Sequence, residues 1–383
     1  NNQSLWYNGT IKNKTKPIVI ANIVVPKMGL LSKTLCIFFF ACGTFIASNS
    51  TDVIETFELK NGNLAIKVTN YGAHLISVTC PDKFGKLDDV LLGYDTAVEY
   101  VKGKTTLGAT LGRVANRIED AKFTLNGITY KLEANDGNNT SNGGRNGYSK
   151  VYFKVKQFLP DAKVPRLVLT YDSFDGEQGF PGNLSVTVVY SLVSDKVFSI
   201  QMKAKALNKA TPVNLVFHPF WNLGGQASGD ILSEELQVFA SKYTPTDSEL
   251  IPTGEIAPVK GTAYDFLEAR TIGSRIGELP SGYDINYALD GRPGGGISLA
   301  AVLSNKKTGR KLEMMTNQPG LQVYSGDKLD LNGKGGAPYK AYAGVALEAQ
   351  GFPNAVNQPN FPSQIVNPGQ TYTHYVVMKF SAS

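Results

Sequence analysis

From about Val53 to the C-terminal end, apolar residues recur at every second position in short runs, as in LAIKVTNYG, KFTLNGITYKL, RLVLTYDSF, LSVTVVYSLV, VFSIQMKAKAL and YTHYVVMKF. A period of two puts alternate side chains on one face of an extended chain, so each run predicts a strand with one face toward a core. Between the runs stand NGN, PDKFGK, LNG, DGEQGFPGN and DGRPGGG, whose Gly, Asn, Asp and Pro favour turns. Beyond residue 48 no segment sustains a helical period over a dozen residues. The pattern predicts an all-β chain built as a large antiparallel β-sandwich. No linker-like stretch, charge block or repeat divides residues 49–383, which are read as one domain.

Composition permits such a core, since 42% of the 383 residues are hydrophobic and 10% aromatic. The formal charge of +6 suggests a basic protein until its distribution is seen. Residues 1–48 hold Lys12, Lys14, Lys16, Lys27 and Lys33 and no acid, which leaves a single net positive charge on the rest. A near-neutral body gives no electrostatic case for a nucleic-acid partner.

Met28 opens MGLLSKTLCIFFFACGTFIASNS, with one charge at Lys33, a twelve-residue apolar run from Leu35 to Ile46, and small residues at Ala47 and Ser48. The run is short for a bilayer span, and its layout matches a signal peptide over residues 28–48, cleaved near Ala47 to Ser50. Residues 1–27 precede it and are read as an upstream segment outside the mature protein. The expectation is a secreted protein with no stable membrane span in its mature form; a retained membrane anchor or a transit segment is the alternative. Cys36 and Cys42 fall inside that signal, leaving Cys80, so neither an intramolecular disulfide nor a cysteine metal site is expected. Sequons at Asn138, Asn139 and Asn183, with Asn49 beside the cleavage region, would become glycan acceptors on export.

The segment Leu347 to Ser363, LEAQGFPNAVNQPNFPS, sets one carboxylate, Glu348, in a run of Gly, Pro, Asn and Gln. Such a run predicts a strand that ends at Glu348 and faces an irregular polar surface, where both solvated acids and general bases occur. His218, in TPVNLVFHPFWNL, can hold and return a proton near neutral pH, with Phe220 and Trp221 as apolar surface to flank a ligand. The alternative is a satisfied histidine in an aromatic core. Asn116 and Arg117, in GRVANRI, read either as a turn and a surface ion pair or as donors for hydroxyl oxygens. His74 and His374 lie in strand-like segments without a second ligand at a usual spacing, so they are expected to be structural and no metal site is expected. RPGGGIS is expected to be a turn rather than a phosphate loop, because no strand-to-helix context surrounds it.

GRVANRI, DGEQGFPGNL, TPVNLVFHPFWNL, YTPTDSELIPTG, GYDINYALD and the Glu348 run stand in the order found in the aldose 1-epimerase (galactose mutarotase) family, which the chain from about residue 53 to 381 resembles. The resemblance implies a β-supersandwich holding a monosaccharide on its concave face, with no cofactor. It implies Glu348 as catalytic base and His218 as acid: one takes the proton of the anomeric hydroxyl, the other protonates the ring oxygen, and the opened ring recloses on the other face. Asn116 and Arg117 then match residues that bind sugar hydroxyls, Asp284 in GYDIN matches a carboxylate that accepts from two of them, and Gln322 in QPGLQVYSG matches a further polar contact.

The chain departs from the family at Asn142. Where Leu-His-Gly-Gly is usual, with a second histidine near the ring oxygen, this sequence has Ser141, Asn142, Gly143 and Gly144. An amide can hydrogen-bond that oxygen but cannot carry a proton. Phe217 and Ala349 likewise stand where Asn and Thr are common. The expected activity is interconversion of the α and β anomers of a free hexose such as glucose or galactose, by a monomer or homodimer. A sugar-binding protein on the same scaffold, or an isomerase redirected to another small molecule, are the alternatives.

Overall fold

Four of the alternating runs, RLVLTYDSF, LSVTVVYSLV, VFSIQMKAKAL and YTHYVVMKF, become strands of one large sheet, while LAIKVTNYG enters a four-stranded sheet and KFTLNGITYKL forms a hairpin of its own. The computed structural model describes residues 53–103, 105–291 and 296–383. Nine strands form the larger sheet, in the order Lys154–Leu159, Arg166–Ser173, Leu184–Leu192, Val197–Ala206, Thr371–Ala382, Arg310–Thr316, Ser298–Ser304, Glu235–Val238 and Arg270–Thr271. Each neighbouring pair in it is antiparallel. The C-terminal strand lies in the middle, so the end of the chain ties two halves of the sheet together. Along Leu184–Leu192 every second residue, from Leu184 through Val186, Val188 and Tyr190 to Leu192, is buried. Full burial of each such side chain contributes roughly 1.5–3 kcal/mol, which is why the period-two pattern is visible in the sequence.

The second sheet has six strands, in the order Phe220–Trp221, Val345–Gln350, Gly320–Tyr324, Asp284–Ala288, Lys242–Thr244 and Ala257–Pro258. One face of its central strands, with Leu347, Ala349, Leu321, Val323, Ile285 and Tyr287, joins the main hydrophobic core together with Val186, Val188 and Ile200 of the larger sheet. Because side chains alternate, the polar residues Asp284, Asn286, Gln322, Tyr324, Glu348 and Gln350 share the opposite face. A four-stranded sheet, Thr56–Asn61 through Leu87–Asp89, and several two-stranded pairs complete the unit Asp52–Ser383.

One helix, Ala97–Lys102, was not legible in the sequence. It is six residues long, begins at a Thr96–Glu99 capping box, and is too short to show a helical period. Cys80 is a buried free thiol. His74 and His374 are both buried structural side chains: His74 Nδ1 and Nε2 lie 2.8 and 3.1 Å from the carbonyls of Leu107 and Ser149, and His374 Nδ1 lies 2.9 Å from that of Leu215. Among the described residues no helix is long and apolar enough to cross a membrane, and no cluster of His, Cys, Asp or Glu is placed to hold a metal. The upstream segment, the signal over residues 28–48 and Asn49 lie outside the described residues, as does part of the RPGGGIS turn.

Candidate active site

His218 ends the strand Val216–His218, which pairs with Ala109–Leu111 so that His218 faces Ala109. Two residues on, Phe220–Trp221 pairs with Val345–Gln350, and this carries the imidazole to the polar face of the second sheet. There His218 Nε2 stands 3.4 Å from Glu348 Oε1. Register does the rest. Gln322 lies opposite Glu348 on one side and Asn286 on the other, and Asp284 lies opposite Tyr324.

Asn116, Arg117, Asn142, His218, Asp284, Gln322 and Glu348, the residues expected to catalyse or to bind sugar hydroxyls, line one cavity of about 180 Å³. Ser141, Tyr324 and Lys328 line it too and were missed. Tyr324 had a readable signal: it follows Gln322 at the period of two and so shares its face. Lys328 and Ser141 had none: Lys328 lies in a loop, and Ser141 is placed by the pairing of the two-residue strand Thr140–Ser141 with Arg117–Ile118. A larger cavity of about 440 Å³ opens beside Gln364 and Tyr372, but none of the predicted site residues reaches it.

Three expectations need correction. Glu348 does not end its strand or face an open surface: it lies within Val345–Gln350 and is only 5% exposed. The turn-forming run begins after Gln350, and the face on which Glu348 stands is covered by segments distant in sequence. Trp221 does not flank the site, because alternation turns it into the core against Phe380, at 5.8 Å between ring centroids. Phe220 does not line the cavity either: it is buried behind it, packing against His218 at 5.1 Å and against Tyr324 at 5.7 Å between ring centroids.

Asn116 and Asn142 both adopt left-handed backbone conformations, with φ of 60° and 52°, a region Asn tolerates better than most residues. Their side chains brace the loop: Asn142 Oδ1 accepts the Asn116 backbone N–H at 2.8 Å, and Asn116 Oδ1 accepts that of Arg117. Only the Asn142 amide nitrogen is then free to face a ligand. The following Gly143 has φ of 82° and comes so close to Gly112 that a Cβ would lie 1.9 Å from the Gly112 carbonyl oxygen, so the turn requires glycine there. Arg117 donates from Nε to Asp136 at 2.8 Å, which makes it both an ion-pair member and a wall of the cavity.

Burial sets the protonation of the pair. It raises the Glu348 carboxyl well above its ordinary value, with a further push from Asp284 and a partial offset from Arg117. It lowers the His218 imidazole to about 4. Asp284 is raised by burial as well, against the opposing pull of Arg117 and of the Gln322 amide, whose Nε2 donates to Asp284 Oδ1 at 2.6 Å.

The family model of aldose 1-epimerase matches residues 55–379. The chain belongs to the aldose 1-epimerase family. Galactose mutarotase of Bos taurus is 38% identical over 333 residues, 86% of this chain and 95% of the relative. Galactose mutarotase of Homo sapiens is 37% identical over the same shares of the two chains. Aldose 1-epimerase of Escherichia coli K12 is 32% identical over 84% of this chain and 93% of the relative. Among solved structures, an aldose epimerase homologue from C. elegans superposes with a TM-score of 0.79 at 27% identity, covering 86% of this chain and 99% of its own. Galactose 1-epimerase from Lactobacillus acidophilus superposes at 0.73 with 26% identity, covering 86% and 98%. This member of the aldose 1-epimerase family has the β-supersandwich architecture expected from its motifs.

Proposed function

We propose that the chain is an aldose 1-epimerase, interconverting the α and β anomers of a free hexose such as glucose or galactose. The observation that carries this reading is the His218–Glu348 pair, 3.4 Å apart in a cavity whose other walls are hydrogen-bonding groups. Glu348 takes the proton of the anomeric hydroxyl and His218 delivers one to the ring oxygen; the C1–C2 bond turns in the open aldehyde before the ring recloses. With the carboxyl raised and the imidazole lowered, the pair shares one proton over a wide pH range. The base is freed when that proton moves from Glu348 to His218, which is the same step that arms the acid. Arg117, Asp284 and Gln322 hold the sugar hydroxyls, and the Asn142 amide donates toward the ring oxygen without supplying a proton. Polarimetry of fresh α-D-glucose and α-D-galactose tests the reading. Acceleration by the purified chain is the expected result, and sugar binding with no acceleration would make it a binding protein instead.

We also infer that the protein is exported, on the layout from Met28 to Ser50. Of the paired sequons, Asn138 is exposed, whereas Asn139 is 3% exposed and donates its amide to Glu249 at 2.8 Å, so Asn138 and the exposed Asn183 are the acceptors open in the folded chain. Mass spectrometry of the mature protein should find an N-terminus near Ser48 to Thr51. A soluble protein retaining residues 1–47 would overturn the inference.

A further inference from the structure

Behind the sugar-facing Asp284 and Gln322 a row of buried amides continues through Gln350 and Asn286, which no part of the reaction uses. Gln350 is fully buried, and its Nε2 donates both to Asn286 Oδ1 at 3.0 Å and to Gln322 Oε1 at 3.1 Å. Gln322 Nε2 in turn donates to Asp284 Oδ1 at 2.6 Å, and Asn286 Nδ2 donates to Thr244 Oγ1 at 3.3 Å. The polarity of this row is set by its end. A carboxylate only accepts, so Gln322 must present its nitrogen to Asp284 and its oxygen inward, and that oxygen needs a donor. Turning the Gln322 amide over would set its oxygen against the Asp284 oxygen and its nitrogen against the nitrogen of Gln350. Turning Gln350 over would set its oxygen against two acceptors at once.

Two independent features point to a site function for Gln350. Its Oε1 is buried with no hydrogen-bond partner, so the fold leaves one end of this amide unsatisfied. Gly320, directly opposite Gln350 in the neighbouring strand, leaves the gap through which Asn286 reaches: a Cβ there would lie 2.5 Å from Asn286 Oδ1. We propose that Gln350 is a positioning residue of the sugar site, holding the Gln322 amide so that it braces Asp284 and leaves the second Asp284 oxygen turned to the substrate, with Asn286 and Gly320 as the parts that fix Gln350 itself. The inference rests on the epimerase reading above.

The test is a double-mutant cycle on KM and kcat for galactose, with thermal melts alongside. Gln350→Leu should raise KM about tenfold while kcat falls less; it also leaves the buried Gln322 and Asn286 oxygens without their donor, so its melting temperature should fall. In a Gln322→Met background the same change should alter KM by less than about twofold, since Gln350 acts through Gln322. Gly320→Ala, which displaces Asn286, should reproduce the KM effect and carries the test should Gln350→Leu fail to fold. An active wild type whose KM is unchanged in both Gln350→Leu and Gly320→Ala overturns the inference alone, as do effects of Gln350→Leu and Gln322→Met that simply multiply. A wild type that does not speed mutarotation overturns the epimerase reading, and this inference with it, before any variant is made.

Discussion

His218 Nε2 lies 3.4 Å from Glu348 Oε1, and both side chains are almost fully buried, so the acid and base meet where neither is readily charged. Taken out of water, a carboxylate gains protons and an imidazole loses them, and closeness then lets one proton serve both groups. Removing either partner breaks this arrangement. Glu348→Gln keeps the shape and the hydrogen bonds but not the base, and mutarotase activity should fall by a factor on the order of 100 or more. Near-normal polarimetric rates in that variant would remove Glu348 from its role.

The pH profile should be broad. Activity requires one proton on the pair, so the acid limb should appear as pH falls toward about 4, where His218 is protonated while Glu348 still holds its proton. The alkaline limb should follow the raised carboxyl, where the pair loses its shared proton. Asp284 pushes that carboxyl up and Arg117 pulls it down, so Asp284→Asn should move the alkaline limb to lower pH and Arg117→Gln to higher pH. Rates of both variants across pH 4–10 check the two opposite signs.

Asn142 braces Asn116 with its oxygen and offers the site only an amide nitrogen. A histidine there could accept the same N–H through a ring nitrogen, and His is tolerated at positive φ better than most residues. Asn142→His should therefore fold, and it should raise kcat roughly tenfold to a hundredfold, an added proton relay being worth about 1.4–2.8 kcal/mol in the transition state. KM should move less. A wild type already as fast as the variant would make Asn142 a neutral replacement.

Acid should destabilise the fold through its buried histidines. His374 is lowered to about 4 by burial, against about 6.5 in an unfolded chain, so below 6.5 the unfolded state binds the extra proton. Its contribution is complete above that value and is lost as pH falls toward 4, which amounts to about 2 kcal/mol between pH 7.5 and 5. Urea denaturation of wild type and His374→Gln at both pH values measures the difference, and the variant should lose less stability on acidification.

Arg117 and Asp284 should be separable from folding. Asp284 stands on the polar face of the second sheet and Arg117 at the cavity wall, half-buried rather than in the core. Asp284→Ala should weaken sugar binding with a small change in the thermal melt. A collapsed melt with unchanged sugar affinity would show that the carboxylate serves the fold instead.

The sequence by itself determined the strands, because alternation is local: LSVTVVYSLV shows which of its side chains are buried wherever the strand is packed. It also determined the cast of the site, since GRVANRI, HPFWNL, GYDIN and the Glu348 run each carry a residue that lines the cavity. Tertiary structure decided what those residues experience. VALEAQ gives no sign that its second face is also covered, because the cover comes from chain far away in sequence, and so Glu348 is a buried carboxyl rather than a loop acid. Local pattern could not show that Trp221 turns to Phe380 or that Asn142 is tied to Asn116, and it left the amides of Gln322, Asn286 and Gln350 as three unrelated polar residues. A hydrogen bond between strands depends on register across the sheet, and register is fixed only when every strand of the sandwich has found its place.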